Sequence, residues 1–267
     1  MIIIADSGST KTDWLLGDQA IETVGLNPIR DSEEQIKQVI RNLPQLPASE
    51  IYFYGAGCIS PYSYTIVSAL ACRFPDALIC VESDMLGAAR ATCGNEPGIV
   101  AILGTGSNSC LYDGKQMVEN VSPLGFILGD EGSGAVLGRT LVGDALKGQL
   151  GDELRACFLQ YFNLTPQDII DKVYRQPMPN RFLASLVPFL RDYRHEPLIH
   201  ELIVKQFKSF IRRNILLYNS YLDVHFVGGV AATFQSELLE AAEGENIRIG
   251  SILLRPIDGL RRFHARK

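Results

Sequence analysis

The stretch MIIIADSGSTKTDWLL, residues 1–16, sets the fold. An apolar run leads into Asp6, Ser7, Gly8, Ser9, Thr10 and Lys11, and a second apolar run centred on Trp14 to Leu16 follows at once. The pattern is a strand, a tight turn and a returning strand. Gly8 permits a positive φ or the close approach of a ligand. Ser7, Ser9, Thr10 and Thr12 offer hydroxyls, Lys11 offers a cation, and phosphate oxygens take such donors. Asp6 ends the strand, where it would orient Mg2+ through water, because this ion keeps most of its water shell. A plain hairpin turn uses the same residues, so the turn alone leaves both readings open.

The stretch has an echo. Residues 2–25 read strand, turn, strand, Gly-Asp turn, strand, and residues 98–121, GIVAILGTGSNSCLYDGKQMVENV, read strand, turn, strand, Asp-Gly turn, strand. Gly8 and Gly106 hold equivalent places in the two copies. After each copy, helices alternate with strands, among them IYFYG, ALICVES, VHFVGG and IRIGSILL. Helices are expected near Asp31–Asn42, after Pro61, near Met85–Thr92, near Ala231–Glu243 and from Pro256. A meander followed by alternating helices implies a mixed sheet covered by helices. The expected fold is therefore α/β and duplicated, with lobes at 1–102 and 103–267. Apolar residues at three and four spacing place extra helices at about 133–221 in the second lobe.

Further motifs fall at strand ends. In GTGSNS, residues 104–109, Gly104, Thr105, Gly106 and Ser107 suit backbone amides aimed at phosphate, as the partner of the first turn. Gly228 and Gly229, between a strand and a helix, let adenine and ribose approach the backbone, or merely ease the bend. Asp84 ends ALICVESD at the carboxyl end of a strand, where ligands bind in such sheets. It is either a base for a substrate hydroxyl or the cap of the next helix. Asp130 and Glu131, in the glycine loop LGDEGSG, could bind neutral hydroxyls. Asn27, in GLNP, could read a sugar hydroxyl or acyl group, or serve the turn before Pro28.

The totals exclude other classes. The 267 residues are 46% apolar and 21% charged, enough for a sizeable core. A net charge of −5 argues against nucleic acid as a partner. No apolar run reaches membrane-spanning length, and the N-terminal run lacks the marks of a signal peptide. Six scattered cysteines form no C-x-x-C pair, which fits a reducing cytoplasm. The four histidines have neither metal nor triad spacing.

Taken in order, DSGSTKTDW, GTGSNS, GDEGSG after LGFIL, and VGGVA resemble the sugar kinase/Hsp70/actin superfamily. They are most similar to the BadF/BadG/BcrA/BcrD-type ATPases, which include N-acetylglucosamine kinase. The resemblance spans nearly the whole chain. It implies two ribonuclease-H-like lobes with ATP·Mg2+ in a cleft, and an amino sugar such as N-acetylglucosamine as substrate. It makes Asp84 the catalytic base and Asp6 the Mg2+-side carboxylate. It makes Asn27, Thr105, Gly125 and Asp130 the sugar pocket, and puts Gly228 and Gly229 at the adenosine. A homodimer is implied, as in many relatives. Leu124 stands where such kinases carry Trp, and the chain is shorter than many of them. Two other functions stay open: an activator ATPase for a 2-hydroxyacyl-CoA dehydratase or aryl-CoA reductase, whose dimer holds an iron–sulfur cluster on cysteines, and a non-catalytic sugar or nucleotide sensor.

Overall fold

The computed structural model describes residues 1–265. By internal contacts the chain forms two compact units. The first comprises Met1–Pro97, Tyr112–Met117 and the segment beginning at Arg255; the second comprises Gly98–Leu111 and Val118–Leu254.

The first unit begins with the meander β1 (Ile2–Ser7), β2 (Lys11–Leu16) and β3 (Gln19–Val24). It continues through α1 (Glu33–Arg41), β4 (Glu50–Gly55), α2 (Ser63–Arg73), β5 (Leu78–Ser83) and α3 (Asp84–Cys93). The sheet order is β3-β2-β1-β4-β5. β2 runs antiparallel to β1, while β4 and β5 are parallel to it. β1 lies between two neighbours and under helices, which is why its sequence is a continuous apolar run. β2 lies further out and alternates, with Thr12, Trp14 and Leu16 inward. The fully buried Trp14 indole donates from Nε1 to Thr23 Oγ1 at 2.9 Å.

α1 starts two residues later than the sequence suggests. Ser32 is its N-cap in a capping box with Gln35, and Ile36 and Ile40 pack into the core. Asp31 stays outside the helix because its carboxylate is engaged elsewhere, as described below.

The second unit opens with β6 (Gly98–Leu103), β7 (Ser107–Tyr112) and β8 (Met117–Glu119). Seven helices follow: α4 (Gly125–Leu128), α5 (Gly134–Leu146), α6 (Gly151–Phe162), α7 (Pro166–Tyr174), α8 (Pro179–Ala184), α9 (Val187–Asp192) and α10 (Pro197–Phe210). β9 (Val224–Val227), α11 (Gly229–Thr233), α12 (Gln235–Gly244) and β10 (Ile249–Leu253) complete the unit. Its sheet order, β8-β7-β6-β9-β10, repeats the first strand for strand. The core includes Phe158, Phe189, Phe207, Phe210 and Phe226, all fully buried. The last helix, α13 (Ile257–Ala265), packs on α3 and β1 and so belongs to the first unit.

The apolar periodicity of LIHELIVKQFKSFIRRNILLY suggests one continuous helix, but the chain widens into a π-turn at Ile211–Ile215. The turn admits an extra residue. Asn214 within it, 5% exposed, donates from Nδ2 to Phe210 O at 3.2 Å. Arg212 and Arg213 do lie on an exposed face, each paired, with Glu245 and Glu131 respectively. Among the described residues no helix is long and apolar enough to cross a membrane.

Candidate active site

In the first unit the turn between β1 and β2 is closed by the Gly8 N–H donating to Lys11 O at 2.9 Å. Gly8 has no left-handed φ, and a Cβ there would meet nothing nearer than 3.8 Å. Neither backbone conformation nor protein packing requires glycine at this exposed position. Gly25, which the sequence alone did not single out, is the sterically required one. A Cβ on it would lie 2.3 Å from Gly8 O. Its N–H donates to Thr10 O at 3.0 Å, binding the loop after β3 to the turn.

The hydroxyls of the turn divide. Ser7 is buried, its Oγ 2.7 Å from Thr12 Oγ1, donating to Leu26 O and accepting the Leu26 N–H. It serves the fold. Ser9 is half-buried and Thr10 exposed. Lys11 is tied to Glu22 at 2.7 Å and Asp13 at 3.3 Å, and Arg255 reaches the same pair of acids.

Asp6 sits opposite Asp13 in the β1–β2 register. Asp6 is half-buried and crowded by protein. Desolvation, then the charges of Asp84 and Asp13, push its pKa up to about 8, with Lys11 opposing. A carboxylate so placed favours a cation. Among the described residues no three His, Cys, Asp or Glu side chains converge as a metal cage. The donor set thus fits a hydrated divalent ion held on one carboxylate, as Mg2+ prefers.

Ser83, not Asp84, is the N-cap of α3, and its Oγ accepts the Leu86 N–H at 3.2 Å. Asp84 occupies the first helical position, with Oδ1 accepting the Met85 N–H at 2.9 Å. Desolvation pushes its pKa up to about 6 against the lowering effect of these backbone N–H groups. A carboxyl with that value is ionised at neutral pH and still basic enough to take a proton. Buried Cys58 lies near it: desolvation first, then the Asp84 charge, push the thiol up to about 12.

Asn27 makes both the turn and a presented group. Its Oδ1 accepts the Ile29 N–H at 3.0 Å, and its own N–H donates to Asp31 Oδ2 at 2.8 Å. Gly57, with φ +77°, makes room for it, since a Cβ there would lie 2.3 Å from Asn27 Oδ1.

In the second unit the 104–107 turn is pinned by a helix. Gly104 N–H donates to Gly106 O, while Gly134 N–H and Ala135 N–H donate to Gly104 O and Thr105 O at 2.8 and 3.0 Å. Ser133, fully buried, caps α5. A Cβ on Gly104 would meet nothing closer than 4.0 Å, so this glycine too has open space before it. Ser107 is buried, and its N–H donates to Asp130 Oδ1 at 3.2 Å. Asp130 has φ +53°, and desolvation raises its pKa. Glu131 beside it is held by Arg213 at 2.5 Å and by Asn214. Gly125, φ +74°, follows Leu124, φ +59°, at the start of α4, and its Cβ position is open. Leu124, Ile127 and Leu128 are all exposed.

The glycines of VGGVA separate as well. Gly228, φ +122°, is demanded by packing, since a Cβ would come within 2.4 Å of Leu103 O. Gly229 starts α11 with open space over its Cα.

Two sheets of the same order, each with helices, define the two-lobe actin-like ATPase class. A structure from Porphyromonas gingivalis, named provisionally as an N-acetylglucosamine kinase, matches with 44% identity and a TM-score of 0.97, over 100% of this chain and 99% of its own. A second provisional N-acetylglucosamine kinase, from Chromobacterium violaceum, matches at 20% identity and TM-score 0.76, over 98% of each chain. A ROK family glucokinase from Streptomyces griseus, solved with glucose and AMPPNP, matches at 16% identity and TM-score 0.59, over 97% of this chain and 96% of that one. The last two speak to the fold alone. No protein-family model matches the chain. No curated protein matches it. The chain belongs to the family of the Porphyromonas protein, the N-acetylglucosamine kinase-like sugar kinases of the actin-like ATPase superfamily.

Proposed function

We propose that the protein transfers the γ-phosphoryl group of ATP to a hydroxyl of an amino sugar, N-acetylglucosamine being the first candidate. The observation that carries this is Asp84: it leaves the capping of α3 to Ser83 and holds a pKa of about 6. Asp84 takes the proton of the sugar hydroxyl as its oxygen bonds to the γ-phosphorus. The bond from that phosphorus to the β-γ bridging oxygen breaks, and ADP leaves with the electron pair. Asn27 Nδ2, Thr105, Gly125 and Asp130 are assigned to the sugar. The turns at Gly8–Lys11 and Gly104–Ser107 are assigned to the phosphates, with Gly229 open to the adenosine and Gly228 shaping the turn before it. Asp6 would hold Mg2+ through water, and the ion would supply charge neutralisation on the phosphates. A cytoplasmic homodimer fits this reading.

The activator-ATPase reading is weaker on its own terms. A cluster shared across a dimer needs two surface thiolates per chain. Cys110, at the start of the second unit, is fully buried. The test of function is ADP release measured over N-acetylglucosamine, N-acetylmuramic acid, glucosamine and glucose, with Asp84→Asn alongside. One of these sugars should stimulate turnover strongly and the variant should lose it. Full turnover by Asp84→Asn would refute the assignment of the base, and sugar-independent ATP hydrolysis across the panel would refute the kinase.

A further inference from the structure

We propose that Arg30 and Asp31 are positioning residues that couple the sugar-reading loop at Asn27 to the phosphate turn at Ser9. The inference rests on the kinase reading above and names a device within it. The Arg30 guanidinium grips Asp31 with two parallel bonds, Nε to Oδ1 at 2.7 Å and NH2 to Oδ2 at 2.9 Å. Its third arm, NH1, donates to Ser9 O at 3.1 Å. Asp31 Oδ2 in turn accepts the Asn27 N–H at 2.8 Å, and the backbone N–H groups of Arg30 and Asp31 both donate to Asn27 O.

A chain of hydrogen bonds therefore runs from Asn27 through Asp31 and Arg30 to the Ser9 carbonyl. Its links are charge-assisted, and the planar guanidinium fixes their angles. A second tie, Gly25 N–H to Thr10 O, fastens the same loop to the same turn. Asn27 is held by its N–H, its carbonyl and its Oδ1, so a ligand bonding Nδ2 pulls on a braced frame. Displacement of Asn27 then reaches the Ser9–Thr10 backbone, which faces the phosphates in the proposed site. The capping box of α1 is closed by Ser32 and Gln35 without the side chain of either residue. The side chains of Arg30 and Asp31 keep 29% and 18% exposure, so removing one leaves no fully buried charge.

Coupling of this kind is reciprocal and is read as a ratio of affinities. The experiment is calorimetric titration of N-acetylglucosamine into the protein, alone and with saturating AMPPNP and Mg2+, for the wild type, Arg30→Gln, Arg30→Lys and Asp31→Asn. In the wild type the nucleotide should tighten sugar binding by roughly 5- to 150-fold, the usual span of such coupling. In Arg30→Gln that ratio should fall to near one, while the sugar affinity without nucleotide moves less than about threefold. Arg30→Lys, which can bond Ser9 O or Asp31 but lacks the fork, should fall between. An unchanged ratio in Arg30→Gln overturns the proposal, as does a loss of sugar affinity that is the same with and without nucleotide, because that is loop support only. If Arg30→Gln fails to fold, Arg30→Lys and Asp31→Asn carry the same comparison. A wild type that turns over sugar with no coupling ratio overturns the coupling and leaves the kinase standing. A wild type that binds and phosphorylates no sugar removes the kinase, and the coupling with it.

Discussion

The two units repeat one sheet order, yet their first turns are held in opposite ways. The Gly8–Lys11 turn is braced by a loop, through Gly25 and Arg30. The Gly104–Ser107 turn is braced by the start of a helix, through Gly134 and Ala135, and by a carboxylate, Asp130. Charge divides along the same line. The first unit gathers Asp6, Asp13 and Asp84, and desolvation, then the charges of Asp84 and Asp13, raise the pKa of Asp6. In the second, Asp130 bonds a backbone N–H and Glu131 is matched by Arg213. The duplication preserved the backbone and not the chemistry, which is how a site can be grafted onto a repeated fold. In the proposed reading the first copy holds the reactive carboxylates Asp6 and Asp84, and the second offers backbone amides and Asp130.

The sharpest way to break that division is to remove one carboxylate from each copy. Asp84→Asn should lower kcat by about 10²–10⁴, the usual contribution of a general base, with the sugar KM moving only a few-fold. Asp130→Asn should do the reverse, raising the sugar KM by roughly tenfold, with a smaller effect on kcat. Steady-state kinetics at saturating ATP reads both. Equal losses of kcat from the two variants would erase the distinction between the copies.

The glycines offer a second contrast. Gly228→Ala forces a Cβ to within 2.4 Å of Leu103 O at φ +122°. It should destabilise the protein by about 2–4 kcal/mol. Gly8→Ala meets an ordinary φ and open space. It should leave stability unchanged or raise it by roughly 0.4–1 kcal/mol, while weakening nucleotide binding. Thermal unfolding paired with AMPPNP titration separates them. A stable Gly8→Ala that binds nucleotide normally would leave the first turn without a ligand role.

The contrast also shows how far a sequence can be taken. The duplicated strand order follows from periodicity and turn residues, because both are local. The positions of Asp6 and Asp84 follow from their places at strand ends. Gly25, Gly57, Arg30 and Asn214 escaped notice because each is defined by a partner distant in sequence or by a change in helix pitch. Gly25 matters through Gly8 O, Gly57 through Asn27, and Asn214 through its place in the π-turn and its bond to Phe210 O. In the sequence Arg30 and Asp31 are adjacent and follow GLNP by one residue, Ile29, with nothing local to mark their link to Ser9. Ser7 shows the opposite failure: a hydroxyl in a phosphate-like motif whose burial assigns it to the fold.

Asp6 ties charge to stability. Its folded pKa is raised from 3.8 to about 8, so the folded state holds its proton more tightly than the unfolded chain does. The stability tied to that proton is fully present below about pH 4 and is lost as pH rises toward about 8. Asp84, raised to about 6, adds to the loss only in the lower part of that window. The ligand-free protein should therefore lose about 2–4 kcal/mol between pH 5 and pH 8, after allowance for solvent screening. Asp6→Asn should flatten most of this decline and be the more stable protein at pH 8. Urea unfolding at several pH values measures it, and parallel curves for the two proteins would contradict the burial of Asp6.

Ser83 gives the smallest effect and the finest test of the division of labour at α3. The Ser83 hydroxyl satisfies the Leu86 N–H. Its removal leaves one donor at the helix start, at a typical cost of about 1 kcal/mol. If Asp84 is free of capping duty, Ser83→Ala should take that cost in stability and leave the pH dependence of kcat in place. If Asp84 instead swings over to cap the exposed N–H group, stability is partly rescued and the rate falls, since the carboxylate is drawn from its proton-accepting position. Unfolding free energy and a pH–rate profile on the same variant distinguish the two. A loss of stability with an unmoved profile means that cap and base are separate functions of neighbouring residues.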